Sequence, residues 1–108
     1  MAFWNLDTLQ LEVFRPGIMS KAEIGDNLIM VCMQIDKGKQ DTGHVHSFDQ
    51  CGIVLEGRIE MVVGQECRLL NANECYFIPA GLRHGWKTFD KPVRILDISP
   101  KQPMGEKS

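Results

Sequence analysis

The chain is built from short apolar runs that stop soon after they begin. GIMSKAEI, NLIMVCMQI, CGIVLEG, RIEMVVG, CRLL, ECYFIP, HGWKTF and VRILDIS follow one another, each four to nine residues long, with Gly, Asn, Asp or Pro at most junctions. A helix needs a longer stretch of 3.6-residue periodicity, whereas brief alternating or continuous apolar runs ended by turn residues suit strands. Many such strands at roughly 8–12-residue spacing make an all-β sandwich or barrel. EG at 56–57 joins two runs directly and predicts a hairpin there; only DTLQLEVF near the start has some helical character. There are no internal repeats and no low-complexity segment.

Length and charge bound the rest. At 108 residues the chain is one domain, long enough to bury roughly 60–70% of the surface it exposes when unfolded. Its formal charge, 12 − 14 = −2, recommends neither nucleic acid nor an anionic membrane as a partner. No apolar run is long enough to span a bilayer. MAFWNLDTLQLE lacks the basic and apolar regions of a signal peptide, so the expected address is cytoplasmic. Cys32, Cys51, Cys67 and Cys75 form no CxxC pair, and without a secretion signal they read as buried, reduced thiols rather than a disulfide framework.

All three histidines of the chain fall in two places, GHVHSFDQ at 43–50 and IPAGLRHG at 78–85. On a strand, residues two apart face the same side, so His44 and His46 project together while Val45 faces away. Gln50 opens the next run, within reach of the same point after the SFD turn. Pro79 and Gly81 make a tight turn, and His84 starts the strand that follows. An isolated HxH is most often solvated, and PxGxxH alone is only a turn followed by a histidine. Three imidazoles converging on one point, however, are a strong site for a divalent transition ion.

HVHSFDQCGIVLEG, followed after 21 residues by PAGLRH, resembles the two signature motifs of the cupin superfamily. The first is matched by His44, His46, Gln50 and Gly57, the second by Pro79, Gly81 and His84. The resemblance implies an antiparallel double-stranded β-helix, a jelly-roll barrel, with one divalent metal (Zn, Ni, Mn, Fe or Cu) held by His44, His46, Gln50 and His84. It also implies a division into an N-terminal segment 1–16, a barrel at 17–100 and a loose tail at 101–108. Where the family often has Gly-Asp before the Pro, this chain has Asn73-Glu74, and Asn tolerates the left-handed backbone that Gly would supply. Thr88 stands where Asn or Gln is sometimes found.

Among cupins, the HxHxxxQ form with DNLIMVCMQIDKG before it and LDISP at the end is similar to small proteins of pectin and uronate catabolism. Those help open unsaturated monouronates toward the linear keto sugar acid. The resemblance implies proton transfer by Asp97, the aspartate of the last strand. Ser99 stands where that group has an aromatic residue, and its basic residue further on has no match in PKQP.

A neutral Gln50 in place of a carboxylate leaves the shell around the ion near +2, which favours an electrophile over a dioxygen-activating iron; a tolerated swap without mechanistic meaning is the alternative. In VRILDIS, Asp97 shares a face with Val93, Ile95 and Ser99, while Arg94, Leu96 and Ile98 share the other. Both faces hold aliphatics, so alternation alone leaves Asp97 either a buried acid/base or a surface charge. Met30, Met33, Met61, Phe77 and Trp86 read as core, with pocket lining as the alternative. Arg15, Lys21 and Arg83 are candidates for greeting a small anionic substrate. Phe3 and Trp4, exposed on a lone barrel, suggest a homodimer. Three readings follow: a metal-dependent isomerase or lyase on a small sugar acid, a non-catalytic binding or sensing protein, and a metal-dependent dioxygenase.

Overall fold

Side-chain alternation sorts this chain into an inside and an outside. The computed structural model describes residues 2–101, and among them are ten strands and no helix: β1 (Glu12–Arg15), β2 (Ile18–Ile24), β3 (Leu28–Ile35), β4 (Gln40–Val45), β5 (Gln50–Glu56), β6 (Ile59–Val63), β7 (Glu66–Leu70), β8 (Cys75–Ile78), β9 (Arg83–Thr88) and β10 (Val93–Pro100). Six form one sheet in the order β1-β2-β3-β10-β5-β8, and four form a second in the order β4-β9-β6-β7. Every pairing is antiparallel. The two sheets face one another as a jelly-roll barrel, as the sequence leads one to expect.

Ile35, Val54, Ile59 and Val93 are fully buried at its centre, with Met61, Leu70, Tyr76, Ile78 and Ile95 around them. Burying each large aliphatic side chain contributes about 1.5–3 kcal/mol relative to exposure. Met33 and Trp86 pack against this cluster, so these two and Met61 are core residues. Phe77 is not: it alternates with the buried Tyr76 and Ile78, points outward and is 61% exposed.

The strand β10 settles the parity of Asp97. Val93, Ile95 and Asp97 are buried, whereas Ile98 is exposed and Arg94 and Leu96 are half-buried. The outer face is shielded in part by the N-terminal segment, to which Arg94 is tied: its Nη1 donates to the Leu6 carbonyl at 3.0 Å and its Nη2 to Gln34 at 3.2 Å. That outer cover explains why both faces of β10 carry aliphatics.

Four other expectations fail. The weak helical character of DTLQLEVF gives no helix; Glu12–Arg15 instead pair with β2 at the sheet edge. EG at 56–57 is not a hairpin, because β5 and β6 belong to different sheets. Gly57, at φ +85°, turns the chain from one sheet to the other, and a Cβ there would lie 2.6 Å from the Pro92 carbonyl oxygen. The four thiols are free, but only Cys32 is buried; Cys51 is half-buried, and Cys67 and Cys75 are exposed because they lie on outward positions of their strands. Trp4 is half-buried rather than exposed, unlike Phe3. Asn73 does take the left-handed conformation, at φ +73°, the one non-glycine among the described residues to do so. Apart from Lys101, the C-terminal tail lies outside the described residues.

Candidate metal centre

The strand carrying the first histidine, QDTGHV, is too polar to stand out as an apolar run, and it contains an irregularity that shapes the site. On β4 and β9, Asp41 pairs with Trp86 and His44 with His84, so two residues on one strand, Thr42 and Gly43, face Gly85 alone on the other. This is a β-bulge, and it brings residues 41 and 44, which regular alternation would separate, onto the same inner face. Gly43 occupies the bulge at φ +126°, its amide donating to Asp41 Oδ1 at 2.9 Å. Gly85 opposite must be bare: a Cβ there would lie 2.5 Å from the Asp41 carbonyl oxygen.

The consequence is chemical. Asp41 Oδ2 lies 3.1 Å from His44 Nδ1, and a carboxylate accepts, so Nδ1 carries the hydrogen and the lone pair of neutral His44 sits on Nε2. His84 Nδ1 lies 3.2 Å from the Leu82 carbonyl, which likewise directs its lone pair to Nε2. His46 lies just beyond β4, held by backbone as much as by its own ring. Its carbonyl accepts from the Gly81 amide at 2.8 Å, and the neighbouring Asp49 accepts from Ala80 at 2.8 Å. The Pro79–Leu82 turn, with Gly81 at φ +83°, thereby ties both histidine-bearing segments together. Phe48 stacks on the His46 ring at 4.6 Å.

His44 and His46 approach Nε2 to Nε2 at 2.9 Å, and one nitrogen from each of the three histidines lies within 4.8 Å of the others. Ligands at about 2.1 Å from a tetrahedral or octahedral ion stand roughly 3.0–3.4 Å apart, so small side-chain rotations suffice to close the three around one. Burial lowers the pKa of His46, as do the neighbouring His44 and His84. Burial also lowers that of His84, against a smaller opposing effect of the Leu82 carbonyl. Both remain neutral, and available as ligands, below the usual imidazole range. His44, His46 and His84 are positioned to bind a metal ion.

A second group of side chains lines the larger sheet beside them. Gln50 Nε2 donates to both carboxylate oxygens of Asp97, at 3.0 and 2.9 Å, and Gln50 Oε1 is buried with no hydrogen-bond partner. The Tyr76 hydroxyl reaches Asp97 Oδ2 from the far side. It does so across Gly52, which stands opposite Asp97 on one neighbour strand and opposite Tyr76 on the other. A Cβ on Gly52 would lie 2.3 Å from the Tyr76 oxygen and 2.6 Å from the Leu96 carbonyl. Asp97 is only 9% exposed. Burial raises its pKa, an effect that the Tyr76 and Gln50 hydrogen bonds and the nearby His84 reduce without cancelling. Burial and the Asp97 charge together push the Tyr76 hydroxyl far above its usual range. Sequence reasoning found the three histidines, Gln50 and Asp97, but missed Asp41 and Tyr76. The first was hidden by the bulge, the second by its place within an apolar run.

The family follows from this arrangement and from comparison. Residues 31–99, which carry all of these groups, match the cupin domain model. The chain belongs to the cupin domain family. It is 33% identical over 79 residues to the pectin degradation protein KdgF of Dickeya dadantii, covering 71% of this chain and 72% of that protein. Among solved structures, KdgF from a Halomonas species superposes with a TM-score of 0.78 at 27% identity, covering 94% of this cupin and 96% of that chain. An RmlC-like cupin from Shewanella frigidimarina superposes at 0.81 with 21% identity, over 96% and 94%, and shares the fold. No helix among the described residues is long and apolar enough to cross a membrane.

Proposed function

We propose that this cupin is a metal-dependent isomerase acting on a small sugar acid such as an unsaturated uronate, with Asp97 as its proton-transferring group. The observation that carries the proposal is the buried Asp97 carboxylate beside a cluster of three histidines, in a chain similar to a pectin degradation protein. The proposed ligands are His44, His46, His84 and the carbonyl oxygen of Gln50. Three imidazoles and one unpartnered buried carbonyl oxygen form a donor set that suits Zn, Ni, Mn, Fe or Cu. Such an ion supplies a Lewis acid toward a substrate hydroxyl or carbonyl oxygen.

The chain's own residues do the rest. Asp97, with its pKa raised by burial, is better suited than an exposed aspartate to take and to return a proton. Tyr76 and Gln50 fix its two oxygens. Arg15 and Lys39 line a cleft of about 380 Å³ together with Ile18, Asp41 and Trp86. Asp41 joins that cleft to His44, so two cations stand where an anionic small molecule would approach. Arg83 lines a smaller groove on the same strand as His84, and Lys21 lies on β2 outside both grooves. We also propose that residues 17–100 are the catalytic barrel and that segment 1–16 contacts a second copy in a homodimer. In support, Phe3, Val13 and Phe14 are 88%, 76% and 64% exposed. A cytoplasmic location is part of the same proposal.

A binding or sensing role without turnover is the second reading. Ser99 favours it, because the aromatic residue of the uronate group is missing there. The neutral Gln50 weighs against a dioxygenase. The test is to incubate the metal-reconstituted protein with a panel of unsaturated monouronates and keto sugar acids, followed by proton NMR. Turnover is expected with at least one of them, falling at least a hundredfold in Asp97→Asn at equal metal occupancy while ligand binding persists. Binding without turnover across the panel would support the sensing role instead.

A further inference from the structure

A carboxylate is the more usual fourth ligand for a divalent ion, and its charge binds cations more strongly than an amide does. The structure holds a reason for the amide at position 50. An ionised carboxylate only accepts hydrogen bonds, so Asp97 takes both of its contacts with Gln50 from the amide NH2 group, which turns the amide oxygen to the opposite side. That oxygen is one of four buried side-chain polar atoms without a hydrogen-bond partner among the described residues, and among them it is the one oxygen. Asp97 is itself held by the Tyr76 hydroxyl, passing over the bare Gly52 backbone from β8 to β10. In the chain Tyr76–Asp97–Gln50 both donors converge on the carboxylate, hydroxyl from one end and amide from the other, which leaves the amide oxygen on the side away from Asp97.

We propose that Asp97, in addition to its proton transfer, and Tyr76, as a positioning residue, clamp Gln50 with its oxygen toward the histidines and make an amide, not a carboxylate, the workable residue at position 50. This rests on the metal reading above. A glutamate at position 50 would put a second carboxylate about 3 Å from Asp97, where the present contacts are 2.9 and 3.0 Å, and like charges that close repel in a buried site. The substitution Asp97→Asn would reverse the requirement. The NH2 group it introduces can donate to a carboxylate at position 50, whereas toward Gln50 the new amide must present its oxygen and turn its NH2 group to Tyr76, whose hydroxyl hydrogen then loses its acceptor.

The test is zinc(II) affinity, measured by calorimetric titration against a competing chelator, for the parent, Gln50→Glu, Asp97→Asn, the double variant and Tyr76→Phe. Circular dichroism and thermal melts of the metal-free proteins establish that each is folded. We expect Gln50→Glu to bind zinc at least tenfold more weakly than the parent, despite its added negative charge. In the Asp97→Asn background the same substitution should tighten binding at least tenfold relative to Asp97→Asn alone. Tyr76→Phe should weaken binding by a smaller factor. A loss of packing alone would make the two substitutions add rather than change sign. Zinc binding by the parent with tighter binding by Gln50→Glu would overturn the clamp and leave the metal site standing, even if the double variant failed to fold. A folded parent that takes up no zinc would overturn the metal site and the clamp's purpose with it.

Discussion

Gly52→Ala should destabilise this barrel, although local propensity favours it. Ala is generally better than Gly within a strand by roughly 0.5–1 kcal/mol, and Gly52 has no positive φ that an L-residue would resist. The added methyl would nevertheless stand 2.3 Å from the Tyr76 oxygen, 2.5 Å from its ring carbon and 2.6 Å from the Leu96 carbonyl oxygen. The tyrosine can move, but the carbonyl belongs to the central strand. Overpacking of this kind costs about 1–3 kcal/mol. Driving Tyr76 off Asp97 forfeits a hydrogen bond to a charged acceptor, about 1.5–3 kcal/mol. After the propensity gain the net loss is about 2–5 kcal/mol. For a domain of this size each kcal/mol moves the melting midpoint by roughly 4–8 °C. Urea unfolding of the metal-free protein, followed by the fluorescence of Trp4 and Trp86, measures it. Gly25→Ala is the control, since a Cβ there meets nothing closer than 3.5 Å, and it should lie within about 0.5 kcal/mol of the parent. If Gly52→Ala also unfolds within that margin, the Tyr76 crossing over Gly52 is not the close contact described above.

Two further outcomes are expected. In the metal-free protein, the lowered pKa of His84 means that the unfolded chain binds its proton more readily. The parent should therefore lose stability relative to His84→Gln as the pH falls through the ordinary histidine value of 6.5; a gap that stays constant between pH 7.5 and 5.5 in paired urea titrations would contradict this. Among the thiols, Cys67 and Cys75 should react quickly with a disulfide reagent in the native state. Cys32, 0% exposed and with its pKa raised by burial, should react only on unfolding; fast labelling of Cys32 itself, identified by peptide mapping, would show that the outer face of β3 is open.

Much of this was legible in the residues, and the gaps have physical causes. Eight of the ten strands announce themselves as apolar runs between turn residues, because their inward positions must be apolar. The strand β4 does not, since its inward positions hold Asp41 and His44 rather than aliphatics. Polarity that hides a strand is here the mark of the site. Gly57 signals a turn correctly, but turn chemistry is local and does not say which sheet receives the next strand. Asp97 could not be oriented from alternation because the N-terminal segment, docked through Arg94 and Leu6, allows the outer face of β10 to be apolar as well. Asp41 and Tyr76 escape any reading of spacing. One depends on the bulge at Gly43, the other on an absent side chain at Gly52.

The central claim is that His44, His46 and His84 close on one ion with Gln50. Elemental analysis of the protein, purified without an affinity tag, stripped by chelator and reloaded with a divalent transition metal, tests it most directly beside His84→Ala. The account predicts about one equivalent of tightly held metal in the parent and loss of that equivalent in a variant that remains folded. A folded parent that holds no metal after reloading, or a His84→Ala variant that holds as much as the parent, would contradict it.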